Sequence, residues 1–158
     1  MKEEPLINKL LKWKGENSRI ERILWIDEGN LIAFCIDIAM DKGFPRKFKI
    51  SDIKDNIKRG ELEIHTEDPY GKIVQDTELS EKEITIRNQR WGVVQFVLSR
   101  ISEPDIFLKK KRGPIIVEAT EKYLISVPTV YKYLRRYWQR GRYPNALISK
   151  YPKFRRQK

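Results

Sequence analysis

Cysteine and histidine are nearly absent from this chain, with Cys35 and His65 the sole examples among 158 residues. A single cysteine excludes an internal disulfide, and its place in the apolar run Leu31–Ile38 points to a buried thiol rather than a redox or metal group. His65 has no second histidine or cysteine at ligand spacing, which excludes a zinc set. Long apolar runs are missing as well. Lys9, Lys12 and Lys14 interrupt the first apolar cluster, so neither a membrane span nor a signal peptide is expected. Neither a glycine-rich nucleotide loop nor a hydrolase nucleophile elbow occurs.

Acidic residues are scarce too, but only toward one end. Residues 107–158 hold 15 Lys/Arg against two acids, Glu118 and Glu121, a local charge of +13. Residues 1–106 hold 18 basic and 20 acidic side chains and sum to −2, so the whole +11 of the chain resides in its last third. Solubility alone does not require such a gathering of charge. A surface that meets a polyanion gains attraction and a faster encounter from it, which makes duplex DNA the leading partner. The 40% apolar content is enough for packed cores in one domain or two small ones.

Up to about residue 75 the pattern predicts a small β-rich subdomain with one short helix. Ile20–Ile26 and Leu31–Ile38 flank the turn Asp27-Glu-Gly-Asn30 and read as a hairpin, with Ile32, Phe34, Ile36 and Ile38 on one side at period two. Lys47–Ile50 extends, Ser51 or Asp52 caps a short helix carrying Ile53 and Ile57, and Gly60 stops it. Leu62 and Ile64 belong to a last short strand. The segment Thr66-Glu-Asp-Pro-Tyr-Gly71 with Gln75–Leu79 marks a boundary.

From 76 to 141 the period is helical. Ser80-Glu-Lys-Glu83 is a capping box that opens a helix at 81–100, with Ile84, Trp91, Val94 and Leu98 on one stripe and Pro104 beyond its end. Pro114 suits the first position of the next helix, whose apolar side is Ile115, Ile116, Ala119, Tyr123 and Leu124. Ser126 caps a further helix with Pro128 in its first turn; Val127, Val130, Leu134, Tyr137 and Trp138 face inward. Two helices joined tightly over about 114–140, the second capped and cationic, form the pattern of a helix-turn-helix, whose second helix enters the major groove.

The candidate DNA-binding residues follow from that pattern. Thr129 and Lys132 occupy the early turns of the second helix and are candidates for base edges or other groove contacts. Tyr131, Arg135, Arg136, Gln139, Arg140 and Arg142 are candidates for groove walls and phosphates, as are Lys109, Lys110, Lys111 and Arg112 before it. Residues 142–158, with Lys153, Arg155 and Arg156, read as an extended basic arm over phosphates or as a linker. The fold class is thus α+β: a β-rich subdomain, a helical helix-turn-helix domain and an extended basic tail.

The string Thr129-Val-Tyr-Lys-Tyr-Leu-Arg-Arg-Tyr-Trp-Gln-Arg-Gly-Arg-Tyr-Pro-Asn-Ala-Leu-Ile148 resembles the end of the N-terminal DNA-binding region of the TnsB family. These are end-binding transposases of Tn-seven-like elements, related to phage Mu transposase and retroviral integrase. Asp41-Lys-Gly-Phe-Pro45, Gly60-Glu-Leu62 and Thr66-Glu-Asp-Pro-Tyr70 resemble the family in the same order. The resemblance implies binding to repeated sites at transposon ends, assembly with itself and with partner transposition proteins, and a bacterial cytoplasmic, nucleoid-associated setting. It also implies catalysis by three carboxylates that hold two Mg²⁺ ions in a ribonuclease-H-like domain following the DNA-binding region.

No match to that domain occurs within these 158 residues, so no catalytic residue, metal or cofactor is expected in this chain itself. Asp52, Asp55, Glu61, Glu63, Glu67 and Asp68 are close in sequence but fall on a helix, a strand and a turn without a recognisable carboxylate constellation. Three other functions use the same basic third: a stand-alone transcription regulator, an RNA-binding protein stacking bases on Tyr131, Tyr133, Tyr143 and Tyr151, and a module that docks an acidic protein.

Overall fold

A computed structural model describes residues 6–152. The chain divides into two compact units between Asp68 and Pro69.

The first unit is a five-stranded sheet with one helix. Its strands are β1 (Leu10–Trp13), β2 (Arg19–Ile26), β3 (Ile32–Asp37), β4 (Arg46–Lys49) and β5 (Leu62–His65), and α1 (Ile50–Lys58) joins the last two. The order is β4-β3-β2-β1-β5, with antiparallel neighbours throughout. The expected hairpin is β2–β3. Asp27 shapes its turn by accepting from the backbone N–H groups of Leu31 and Ile32 at 2.7 and 2.9 Å, while Asn30 takes a left-handed φ of 55°.

The sides of β3 and the start of α1 call for comment. Period two set Ile32, Phe34, Ile36 and Ile38 on one side; Ala33 on the other side is buried too, and Cys35 is the buried thiol that its apolar run led one to expect. The cause is α1, which lays Ile50 and Ile53 against Leu11, Ile23, Ala33, Cys35 and Leu62 and so makes both faces of β3 apolar. Helix α1 also starts earlier than expected. Lys49 precedes it without a side-chain cap, Ser51 and Asp52 fall inside its first turn, and Ile57 stays 38% exposed. Gly60 stops the helix as expected, at φ 76°, a value that L side chains adopt only at a cost. Strand β1, hidden in the sequence by its lysines, pairs with both β2 and β5.

Charged side chains stiffen this unit from within. Arg22 is 1% exposed and grips both carboxylate oxygens of Asp68 at 2.8 and 3.0 Å while donating to the Asn8 carbonyl at 2.9 Å. Glu21, fully buried, accepts from Arg19 Nε at 2.6 Å and from Arg46 at 3.2 Å. Cys35 is also buried, and desolvation pushes its thiol far above the ordinary value, with Glu21 adding to the shift. It is an inert core residue.

The second unit holds three helices, α2 (Glu81–Arg100), α3 (Lys109–Tyr123) and α4 (Val127–Gln139), with 3-10 turns at Asp76–Glu78, Asp105–Phe107 and Pro144–Leu147. The capping box at the head of α2 forms in both directions: Glu83 N–H donates to Ser80 Oγ at 3.2 Å, and Ser80 N–H donates to Glu83 Oε1 at 3.1 Å. Val93, Val94 and Val97 are the buried side of α2, and half-buried Trp91 meets the Tyr137 ring at 5.8 Å.

Helix α3 begins at Lys109, so Pro114 lies inside it rather than at its first position. Ile106 and Phe107 explain the early start. They are buried in the preceding turn, and the N–H groups of Lys111 and Arg112 both bond the Leu108 carbonyl at 3.0 Å, closing the first turn there. Leu124, expected on the apolar side, is 89% exposed.

The expected arm is also shorter than the prolines suggested. Asn145, Ala146, Leu147, Ile148 and Tyr151 are buried. Asn145 Nδ2 donates to the Val74 carbonyl at 2.7 Å and to Asp76 at 2.9 Å, and Tyr151 O–H donates to the Lys72 carbonyl at 2.8 Å. Proline bars a regular helix but not a packed 3-10 turn, and the apolar residues after Pro144 supply the reason to pack. Lys153, Arg155 and Arg156 lie outside the described residues.

Candidate nucleic-acid interface

Helix α4 is positioned by its cap and by one apolar edge. Ser126 Oγ accepts from Thr129 N–H at 3.3 Å, Pro128 follows in the first turn, and Leu124 at φ 55° turns the chain out of α3. Val130, Leu134 and Trp138, spaced four apart, are fully buried, and Trp138 lies 5.8 Å from the Phe107 ring. Burial of such side chains contributes about 1.5–3 kcal/mol each, which fixes the rotation of the helix and therefore which residues remain outside. Those are Pro128 and Lys132, exposed, with Thr129, Arg135, Arg136 and Gln139 at intermediate exposure. Val127, expected inward, is 41% exposed.

Lys132 stands at the centre of this face. The charge of Arg136, one helical turn on, holds its ammonium below the ordinary lysine value; slight desolvation and the charge of Arg90 act in the same direction. Thr129 shares its hydroxyl with the cap, 2.9 Å from Ser126 Oγ. Lys109, Lys110 and Lys111 are exposed in the first turn of α3, where Lys111 pairs with Asp105 at 3.3 Å.

Three of the expected arginines are engaged by the protein instead. Arg112 is 4% exposed, donates to the Phe107 carbonyl at 3.0 Å and to Tyr131 Oη at 3.2 Å, and lies over the Tyr131 ring at 5.4 Å. Arg140 donates to the carbonyls of Ala146 and Ile148, both at 3.1 Å, between the rings of Tyr70 and Tyr151. Burial lowers its proton affinity, against the opposing influence of Tyr70 and Tyr151. Arg142 pairs with Glu103 at 3.0 Å. Desolvation raises the Glu103 carboxyl even so. The sequence marked these arginines as cationic, but only packing decides whether a cation points out or holds a carbonyl.

Arg90 on α2 was missed. It donates to the Leu147 carbonyl at 3.0 Å and lies over the Tyr133 ring at 5.4 Å, beside the exposed face of α4. Its helix is not unusually basic, so only tertiary structure could find it.

Among the described residues no group of three or more His, Cys, Asp or Glu is placed to hold a metal ion. Three of the acidic residues singled out in the sequence are held by cations. Asp68 clasps Arg22, while Glu63 and Glu61 pair with Lys14 and Arg59 at 3.3 and 3.8 Å. No helix among the described residues is long and apolar enough to cross a membrane.

Comparison with known proteins gives a consistent set of matches. Residues 5–69 match the TnsB N-terminal SH3-like domain, and residues 87–151 match the TnsB second domain. The chain is also similar to the Transposon Tn7 transposition protein TnsB of Escherichia coli, at 33% identity over 130 residues. That alignment covers 82% of this chain and 18% of the relative, so the chain spans less than a fifth of the protein it matches.

Proposed function

We propose that this chain is the DNA-reading part of a TnsB-type transposition protein and that α4 docks in the major groove of transposon-end DNA. The observation that carries the reading is the capped helix α4. Its apolar edge is fully buried and its opposite face presents Lys132 with Arg135, Arg136 and Gln139 on a unit matched to a TnsB domain. In this reading Thr129 meets base edges and Lys132 stands at the groove, while Arg135, Arg136 and Gln139 meet phosphates and groove walls. Lys109, Lys110 and Lys111 attach to the backbone farther along. Arg112, Arg140 and Arg142 act indirectly, by holding the helix and the turn after it.

The transposition named for the relative comes to this chain only as a further proposal. The chain binds and positions DNA, and strand transfer is the work of a metal-dependent carboxylate domain that these residues do not supply. Self-assembly on DNA and contacts with partner transposition proteins belong to the same proposal.

Base stacking on tyrosines, the basis of an RNA reading, draws less support. Tyr131 is occupied by Arg112 and Tyr133 by Arg90, while Tyr143 and Tyr151 are hydrogen-bonded to each other. The deciding experiment measures binding of the purified chain to transposon-end duplex, scrambled duplex and single-stranded RNA across salt concentrations. Tighter binding to end duplex, weakening as salt rises, is the expected result. Equal affinity for end and scrambled duplex at near-physiological salt would remove the specificity, and preference for RNA would replace the reading.

A further inference from the structure

We propose that Arg90, from α2, joins Lys132 and Arg136 of α4 to form one seat for a DNA phosphate. This rests on the duplex-binding reading above and adds to it a residue from outside both the helix-turn-helix and the basic third of the chain. Three observations lead to it. Arg90 is fixed rather than free to sweep the surface: one guanidinium nitrogen is anchored on the Leu147 carbonyl at 3.0 Å, and the guanidinium carbon rests 5.4 Å from the Tyr133 ring centroid. Tyr133 is the chain neighbour of Lys132, and Lys132 and Arg136 are one helical turn apart, so the stacked guanidinium is delivered to that stretch of α4. The three cations also share one field, since Arg136 and Arg90 both depress the proton affinity of the Lys132 ammonium.

Gathering like charges disfavours the folded chain unless an anion is bound there. Among the described residues neither Arg90 nor Lys132 has a carboxylate partner within ion-pair distance. A phosphodiester oxygen is the anion that the proposed function brings to this face. The Leu147 anchor and the Tyr133 ring leave the remaining guanidinium N–H groups to meet it. A guanidinium held in place before binding loses little freedom when it bonds a phosphate, which is the advantage of reaching from α2 instead of adding another long side chain to α4.

The test uses the whole chain and a duplex that it binds. In Arg90→Gln the amide keeps a donor for Leu147 and removes the charge. Its plot of log affinity against log salt should be shallower by up to about 0.9, the value for one wholly lost phosphate contact, because Lys132 and Arg136 still face the same phosphate. Affinity should fall roughly tenfold at moderate salt, equally on end and scrambled duplex, because a phosphate contact carries no sequence information. Arg90→Lys should restore most of the slope. Lys132→Gln combined with Arg90→Gln should cost less than the product of the two single losses, because both residues address one phosphate. An unchanged slope in folded Arg90→Gln overturns the seat and leaves the DNA reading intact. If that variant does not fold, a folded Arg90→Lys that lacks wild-type slope overturns it equally. Failure of the unaltered chain to bind any duplex removes the DNA reading and the seat together.

Discussion

Residues 1–68 carry 13 Lys/Arg against 14 Asp/Glu, whereas residues 69–158 carry 20 against 8. In the first unit the balance is mirrored in structure: Arg22 with Asp68, Arg19 and Arg46 with Glu21, Lys14 with Glu63. In the second unit most of the acids are likewise taken up, by Arg87, Lys72, Arg142, Lys111 and Arg100. The difference lies in what remains. Once the pairs and the carbonyl-binding arginines are set aside, the second unit still presents Lys132 on α4 and Lys109 and Lys110 at the head of α3, and an excess of that kind is what a polyanion reads. In the proposed reading, net charge per unit, rather than the number of cations, separates scaffold from binding surface.

The largest expected effect breaks the comparison by removing the second unit. Trp138 is fully buried against Phe107, so Trp138→Ala should destabilise that unit by about 3–5 kcal/mol. Denaturant unfolding followed by circular dichroism measures it, with DNA binding lost in proportion to unfolding. A fully folded variant that had lost DNA affinity would move Trp138 from the core to the interface.

Next comes the structural use of charge in the first unit. Asp68→Ala leaves Arg22, 1% exposed, without its carboxylate, and breaking a buried pair costs about 3–5 kcal/mol. The lower end is expected because Asp68 itself is 29% exposed. Chemical denaturation reads the loss, and the salt dependence of DNA binding by the folded chain should not move. A shallower salt slope would mean that this unit also contributes phosphate contacts.

The third change sharpens the comparison within α4. Thr129→Ala should lower discrimination between end and scrambled duplex by about 1–3 kcal/mol if it reads a base edge, whereas Lys132→Ala and Arg136→Ala should weaken both equally and make the salt slope shallower. Competition binding at two salt concentrations separates the two roles. Lys132→Ala with altered site preference would move Lys132 from the phosphate seat to a base edge.

Local signals explain why parts of the fold could be read in advance. The Ser80 capping box, the β2–β3 hairpin with its Asp27 turn, the Gly60 stop and the Ser126 cap each depend on a few adjacent residues, and each formed where expected. Several misreadings involve tertiary partners. Ile148 became core because Val74 and Tyr151 pack with it, and α3 starts early because Ile106 and Phe107 are buried before it. The candidate site divides the same way. Periodicity found the buried edge of α4 and hence its exposed face, but composition could not tell Lys132 from Arg112 or Arg140, nor find Arg90.

The smallest expected effect concerns the turn that aims α4. Leu124 sits at φ 55° with 89% of its surface exposed, so it carries left-handed strain of roughly 1–2 kcal/mol with little burial to offset it. Glycine adopts that conformation without strain, but its greater freedom in the unfolded chain costs about 0.4–1 kcal/mol. The two terms oppose each other, and Leu124→Gly should stabilise the second unit by less than about 1 kcal/mol, read as a small rise in melting temperature. DNA affinity measured on the same variant decides what the leucine is for. Unchanged affinity makes Leu124 a tolerated strain in a scaffold turn. A loss of affinity alongside the gain in stability would place an apolar side chain within the DNA surface, and charge excess alone would then no longer define that surface.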